Sequence, residues 1–134
     1  MASLVLFPDA EAVVIAWTAG KLGAGVKMRT SVPSPRPALG FVKVTRTGGY
    51  SANIVTDNAQ LTFECWHPSE SSASALCQLT RAVVEAMDGE LVGTVWVRGV
   101  YEIGGPANFP DPESAVPRYQ FTKGALLRGT SIIP

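Results

Sequence analysis

The feature that most constrains the fold is an amphipathic segment that begins just after Pro68. Small and apolar residues recur there at steps of three and four, which places them on one face of an α-helix: Ala73, Leu76, Cys77, Thr80, Val83, Val84 and Met87. Polar residues form the opposite face: Ser74, Gln78, Arg81, Glu85 and Asp88. Ser69 or Ser71 can cap this helix, and Gly89 can end it. A helix with one apolar face needs a second layer to cover.

Most of the other regular segments are predicted strands. A first helix is predicted over residues 9–22, with Asp9 as its N-cap. Strands are predicted where β-branched and aromatic residues concentrate, over residues 26–30, 41–47, 59–66, 94–103 and 118–127. The order α-β-β-β-α-β-β predicts one α+β domain spanning residues 1–134. Its sheet is expected to be mostly antiparallel or mixed, with about five strands and two helices on one face.

Three long loops separate these elements, over residues 31–40, 50–58 and 104–117. Pro33, Pro35 and Pro37 remove backbone donors from the first loop, so this loop is expected to be extended. Its proline spacing also fits a ligand of a proline-recognition domain, although a stiff connection between strands is favoured. Long loops in a small domain are typically functional or disordered.

The composition limits the classes of partner. Hydrophobic residues make up 46% of the chain and charged residues only 16%, and 11 basic residues balance 11 acidic ones. Such a surface suits a subunit that is partly covered in an assembly, and it also suits a compact monomer. The absence of a basic excess disfavours a nucleic-acid-binding protein, with the exception of a ring whose neutral lumen surrounds DNA. Zero net charge also weakens self-repulsion and so favours association.

Few residues suggest catalysis. Cys65 and His67 are two positions apart, so in a strand both would point to one face and could form a nucleophile pair. We favour a core cysteine and a strand-end histidine, because Cys65 shares its face with Leu61 and Phe63. Carboxylates at Asp9, Glu11, Asp111 and Glu113 could form catalytic pairs, but Asp111 lies between prolines, where aspartate usually bonds turn amides.

No motif for a cofactor, a metal or a membrane is present in the sequence. The glycine pairs lack the spacing of phosphate-binding loops, and Cys65 and Cys77 lack the histidines of a zinc site. Their spacing leaves a disulfide open, although buried thiols in a reducing cytoplasm are favoured. The first residues resemble neither a signal peptide nor a membrane span. We therefore expect no cofactor, no metal and no membrane contact.

Large aromatic residues are predicted on the sheet face turned away from the helices. Strand alternation places Trp66 with Glu64 there, and it places Trp96, Arg98, Val100 and Glu102 together. Tryptophan and arginine are enriched at protein interfaces. This face is therefore either an interface or a surface covered by the chain's own long loops.

Several ordered segments resemble the tail terminator proteins of long-tailed, non-contractile bacteriophages, especially those of actinobacteria. They are Arg36-Pro-Ala, residues 41–49 (FVKVTRTGG), Val55-Thr-Asp, residues 61–66 (LTFECW), residues 104–111 (GGPANFPD) and residues 117–121 (PRYQF). The resemblance extends from Asp9 to Leu127. It implies an α+β subunit of a hexameric ring that caps the tail tube, stops its polymerisation and contacts the head-side connector.

The same resemblance implies a structural protein of the virion, made in the host cytoplasm and without catalytic residues. Its expected partners are further copies of the chain, the tail-tube protein and a head-side connector or stopper protein, with DNA only passing through the lumen. We propose as interface residues Pro33, Pro35, Arg36, Arg46, Tyr50, Trp66, Trp96, Arg98, Asn108, Phe109, Asp111 and Arg118. The alternatives are a head-tail stopper, a tail completion factor or a small Cys/His enzyme.

Overall fold

A computed structural model describes residues 4–132 of the chain. The elements, in chain order, are β1 (Leu4–Leu6), α1 (Ala10–Thr18), β2 (Met28–Arg29), β3 (Phe41–Asn53), β4 (Thr56–Trp66), α2 (Glu70–Glu85), β5 (Leu91–Val92), β6 (Val95–Asn108), β7 (Arg118–Arg128) and β8 (Thr130–Ile132). The α+β class is confirmed, and the element order agrees except for the short strands.

Six strands form the main sheet in the order β2-β3-β4-β7-β6-β5. The four long strands pair antiparallel, and only the two-residue β2 runs parallel to its neighbour β3. β4 and β7 are the central pair, in register from Thr56 opposite Arg128 to Trp66 opposite Arg118. The sheet is therefore mixed, as predicted, with one strand more than expected.

Both helices pack on one face of this sheet, around a common core. Asp9 and Ser69 act as N-caps, since their side chains accept hydrogen bonds from the amides of Ala12 and Ser72. The predicted stripe of α2 is buried, apart from the half-buried Val83. Phe63 and Phe121 stack beneath the helices, with ring centroids 4.8 Å apart. Full burial of each such ring contributes about 1.5–3 kcal/mol.

The other face of the sheet is open and largely polar. Hydroxyl groups of three neighbouring strands form a ladder: Thr62 lies 3.3 Å from Thr47 and 3.1 Å from Thr122. Tyr101 lies on this face above Gly124, and its hydroxyl donates to Asn58 Oδ1 at 2.7 Å. Cross-strand contacts of this kind stabilise the sheet on the side away from the helices.

The prediction of loops at residues 50–58 and 104–108 was wrong. β3 continues to Asn53 and turns directly into β4 at Thr56, and β6 continues through Gly104 to Asn108. Gly48 and Gly49 have positive φ values of 141° and 110°, and the ladder slips by one residue between Arg46 and Gly48. The glycines therefore build a β-bulge inside a strand instead of ending it.

The predicted faces of β6 also require correction. A bulge between Val97 and Gly99 shifts the alternation, so that Val100 and Glu102 face the helices while Tyr101 faces the open side. Glu102 therefore does not share the open face with Trp96. One extra residue reverses every later side chain, because the period of a strand is two.

The chain ends form a separate two-stranded sheet that the sequence analysis missed. β1 and β8 pair antiparallel, with Leu4 opposite Ile132 and Leu6 opposite Thr130. The Gly129 amide donates to the Val55 carbonyl at 2.8 Å and so joins this sheet to the β3–β4 turn. The first helix also ends earlier than predicted, at Thr18, and residues 19–25 form turns.

Candidate functional site

Four of the predicted interface residues, Arg36, Trp66, Phe109 and Arg118, meet at one end of the sheet. Together with Phe41 they form what we call the Trp66 cluster. Trp66 ends β4 and is 4% exposed; its ring stacks on that of Phe41, the first residue of β3, at a centroid distance of 5.5 Å. The guanidinium carbons of Arg36 and Arg118 lie 5.4 and 5.1 Å from the Trp66 centroid. This is the geometry of cation–π contacts.

Arg118 is the best-anchored member of the cluster. Its Nε donates to the Phe109 carbonyl at 2.8 Å, and its Nη1 donates to Glu64 Oε1 at 3.1 Å. The side chains of Arg118 and Glu64 are both mostly buried, and Lys43 approaches the same carboxylate at 3.7 Å. These bonds tie β4, β7 and the segment after β6 together beside Trp66.

The segment from Phe109 to Pro117 forms a tight turn above the cluster. The Ser114 amide and hydroxyl donate to Asp111 Oδ2, and the Asp111 amide donates to the Val116 carbonyl at 3.1 Å. The Ser114 hydroxyl, backbone amides and the charge of Arg118 lower the pKa of Asp111. The prediction that Asp111 bonds turn amides is confirmed.

A cavity of about 200 Å³ opens next to the cluster. Its walls come from the loop before β3, the loop between β6 and β7, the start of β3 and the end of β4. The lining residues are Arg36, Pro37, Ala38, Phe41, Trp66, His67, Pro68 and Val116. The indole N–H of Trp66 is fully buried and has no hydrogen-bond acceptor among residues 4–132. An unsatisfied buried donor costs about 1–3 kcal/mol, so this N–H opposes the burial of the ring that the stacking contacts favour.

The fold matches that of a virion component. A chain from a solved structure described as "Virion of native gene transfer agent (GTA) particle" superposes with a TM-score of 0.60 over 90% of this chain and 95% of that chain. The two are 16% identical in sequence. The two chains share a fold. Comparison with protein-family models and with curated proteins gives no match.

Trp96 and Arg98 lie away from the Trp66 cluster, near the opposite end of the sheet. Trp96 is the second residue of β6, pairs with Leu91 of β5 and is 46% exposed. The Arg98 guanidinium lies 6.0 Å from its ring. The sheet face with the tryptophans was predicted to be either an interface or covered by the chain's own loops. The loops cover Trp66, whereas Trp96 faces solvent.

Arg46 and Tyr50 belong to a third location, the β3–β4 hairpin. Arg46 binds Asp57 in a bidentate ion pair, at 2.6 and 3.0 Å, and donates to the Gly48 carbonyl at 3.0 Å. The hydrogen bond from Arg46 satisfies a buried carboxylate, so the side chain has a structural role within the chain. Tyr50 is exposed near the hairpin tip. That Arg46 also contacts a partner stays a prediction.

Three further predicted residues lie close to the cluster without joining it. Asn108 ends β6 and donates to Glu70 of α2 at 3.2 Å. Pro33 is half-buried and Pro35 is exposed, both in the loop that supplies Arg36. Sequence reasoning placed Glu64 beside Trp66 but missed Phe41 and His67 as its neighbours. The pairing of Phe41 with Trp66 follows once the hairpin register is known, and only the structure provides that register.

Cys65 and His67 do not form a catalytic pair. Cys65 is buried against α2, where burial and then the Cys77 thiol raise the pKa of Cys65 well above its usual value. Nucleophilic cysteines need a lowered pKa instead. His67 follows the end of β4, accepts a hydrogen bond from the Ser69 amide at Nδ1 and lines the cavity.

Within residues 4–132, no three His, Cys, Asp or Glu side chains come together as a metal site requires. No helix in this range is long and apolar enough to cross a membrane.

Proposed function

We propose that this chain is a structural protein of a phage-like virion and acts as its tail terminator. The subunit forms a ring on the last ring of the tail tube, stops polymerisation and joins the tail to the head-side connector. The observation that carries the proposal is the match of nearly the whole fold to a chain of a gene transfer agent virion. The ordered motifs from Arg36 to Phe121 support the finer assignment.

The sheet edges support ring formation. β2 covers β3 only at Val42 and Lys43, and β5 covers β6 only at Val95 and Trp96. Most of β3 and β6 therefore have one free edge among the described residues. These two edges lie on opposite sides of the sheet, and a closed ring needs two different patches on each copy. Free strand edges readily pair with another chain.

The first experiment measures tube length. The purified chain is added in increasing amounts to the cognate tail-tube protein, and tube lengths are measured by negative-stain electron microscopy. We expect shorter tubes with a ring at one end, in proportion to the added chain. Native-like tubes of unchanged length with bare ends would remove the terminator assignment and favour a stopper or completion factor.

A variant pair tests whether the loop end of the sheet takes part. Phe109→Asp places a charge on the exposed aromatic member of the Trp66 cluster, and Leu79→Asp places a charge on an exposed leucine of α2. We expect Phe109→Asp to reduce capping at least fivefold and Leu79→Asp to leave it near wild type, because buried interface charges are costly. Equal effects of the two variants would contradict the assignment of this end.

A further inference from the structure

The cavity beside Trp66 presents hydrogen-bond donors. Its lining residues include Arg36, Trp66 and His67. The Ser69 amide occupies Nδ1 of His67, so a neutral imidazole carries its hydrogen on Nε2. No carboxylate is among the lining residues. A site with a cation, N–H donors and apolar walls selects a carboxylate next to a small apolar side chain.

Arg36 is available for such a ligand. Its side chain is 44% exposed, and its nearest carboxylate within the described residues, that of Asp111, lies at 4.0 Å, the outer limit of an ion pair. The Ser114 amide and hydroxyl already donate hydrogen bonds to the Asp111 carboxylate. The donors of Arg36 are therefore only weakly used within the chain.

The chain itself supplies a matching group. Among residues 4–132, the side chains of Glu90 and Glu113 make no hydrogen bond or ion pair, and both residues are exposed. Glu113 follows Pro112 in the turn between β6 and β7, at the same end of the sheet as the cavity. Glu90 lies at the other end, beside β5. Glu113 does not line the cavity of its own chain.

We propose that the cavity beside Trp66 receives the Glu113 carboxylate of a neighbouring copy of the chain, with Pro112 against the apolar wall. The contact is heterologous, as a ring requires, because the cavity and the Glu113 carboxylate are two different surface patches at the same end of the sheet. It provides a full carboxylate partner for Arg36, whose own Asp111 lies at 4.0 Å. The inference rests on the proposed ring.

A charge exchange tests the contact. Arg36→Glu and Glu113→Arg are made singly and together in the full chain, and self-association is followed by analytical ultracentrifugation, with circular dichroism as a check of folding. Each single reversal should raise the dissociation constant at least tenfold, about the effect of one broken charge pair at an interface. The double variant should return to within about threefold of wild type.

Matched controls keep the result specific. Arg128→Glu reverses an exposed arginine at the opposite end of the sheet, and Glu90→Arg reverses the other unpaired glutamate. Both should associate like wild type. Single reversals that have no effect, or a double variant no better than the singles, would overturn the proposal.

The tube-length assay separates this contact from the proposed function. The same variants are tested for their ability to shorten tail tubes. If the free chain is monomeric in solution, this assay still tests the contact, because the ring then forms on the tube end. Capping by wild type without rescue by the exchange refutes the contact and leaves the function. Rescue of association without any capping refutes the function and leaves the contact. A wild-type chain that neither associates nor caps refutes both.

Discussion

At the scale of single residues, the least expected feature is Lys123, a lysine inside the helix-facing side of the sheet. Its side chain is 4% exposed, and its ammonium contacts Glu85 of α2 and lies 3.8 Å from Glu102 of β6. Glu102 also binds Arg81 of α2 through two bonds of 2.6 and 2.7 Å. This network links α2 to both β6 and β7, and its carboxylates reach solvent while its lysine does not.

Because the carboxylates are solvated and the lysine is buried, removal of the lysine should cost less stability than removal of both carboxylates. Lys123→Met leaves Glu85 solvated and Glu102 paired with Arg81, so the free energy of unfolding should change by less than about 1 kcal/mol. The double variant Glu85→Gln with Glu102→Gln leaves a buried ammonium without a carboxylate and should cost about 2–4 kcal/mol. Urea unfolding compares the two, and a larger loss in Lys123→Met would contradict the argument.

Gly124 is required for a contact rather than for a turn. The ring of Tyr101 lies directly over it, and a methyl group added at Gly124 would overlap that ring. Gly124→Ala should therefore displace Tyr101, break its bond to Asn58 and lower the free energy of unfolding by about 1–3 kcal/mol. Gly104→Ala is the control, because a Cβ there meets no atom within 4 Å. Equal stability of the two variants would show that the Tyr101 ring moves freely.

At the scale of elements, the strands differ in how fully they are paired. β4 and β7 have a partner on each side, whereas β1 and β8 pair only with each other. Leu4, Leu6 and Ile132 remain exposed on this small sheet. Two-stranded sheets are marginally stable in water. We therefore expect the β1–β8 sheet to be the least stable element of the described fold.

Hydrogen exchange measures this difference. Amides in the β1–β8 ladder should exchange at least a hundredfold faster than those of Phe63 and Phe121 in the central strands, because the small sheet can open without exposing the core. Binding to the tube or to a second copy through this sheet would slow exchange there, so the comparison uses the free chain at low concentration. Similar protection of both sheets would show that they open as one unit.

The helices were predicted more accurately from the sequence than the strands. The stripe of α2 was correctly predicted, because helix periodicity is repeated over four turns and depends on local spacing; of the two predicted caps, Ser69 and Ser71, the structure has Ser69. The lengths of β3 and β6 were underestimated. The glycine pairs were interpreted as the ends of strands, whereas pairing continues past them through β-bulges. A bulge depends on the partner strand, which the local sequence does not specify.

At the scale of the whole molecule, helices and sheet enclose one continuous core. Trp17 of α1 donates its indole N–H to the Val83 carbonyl of α2 at 2.7 Å, which joins the helices to each other over that core. That residues 1–134 act as a single domain remains a prediction. Its three tryptophans occupy α1, β4 and β6, so each can report on a different part of the molecule.

A single domain should unfold in one step. Variants that keep one of Trp17, Trp66 or Trp96, with the others changed to Phe, should show the same urea midpoint by tryptophan fluorescence as by far-ultraviolet circular dichroism. Each variant is compared with its own circular dichroism curve, which removes the effect of the substitutions on stability. Separate midpoints for Trp17 and Trp96 would indicate that the helical layer and the sheet edge unfold independently.

The sequence by itself determined the α+β class, the helix caps, the helices on one face and the turn role of Asp111. These depend on periodicity and on hydrogen bonds between residues close in the chain. Only the tertiary structure decided that Trp66 is covered while Trp96 is exposed, that Glu102 faces α2, and that Arg36, Phe41 and Arg118 surround one indole. Those outcomes depend on strand register and on bulges, where a shift of one residue reverses a face, and no local pattern encodes the partner strand.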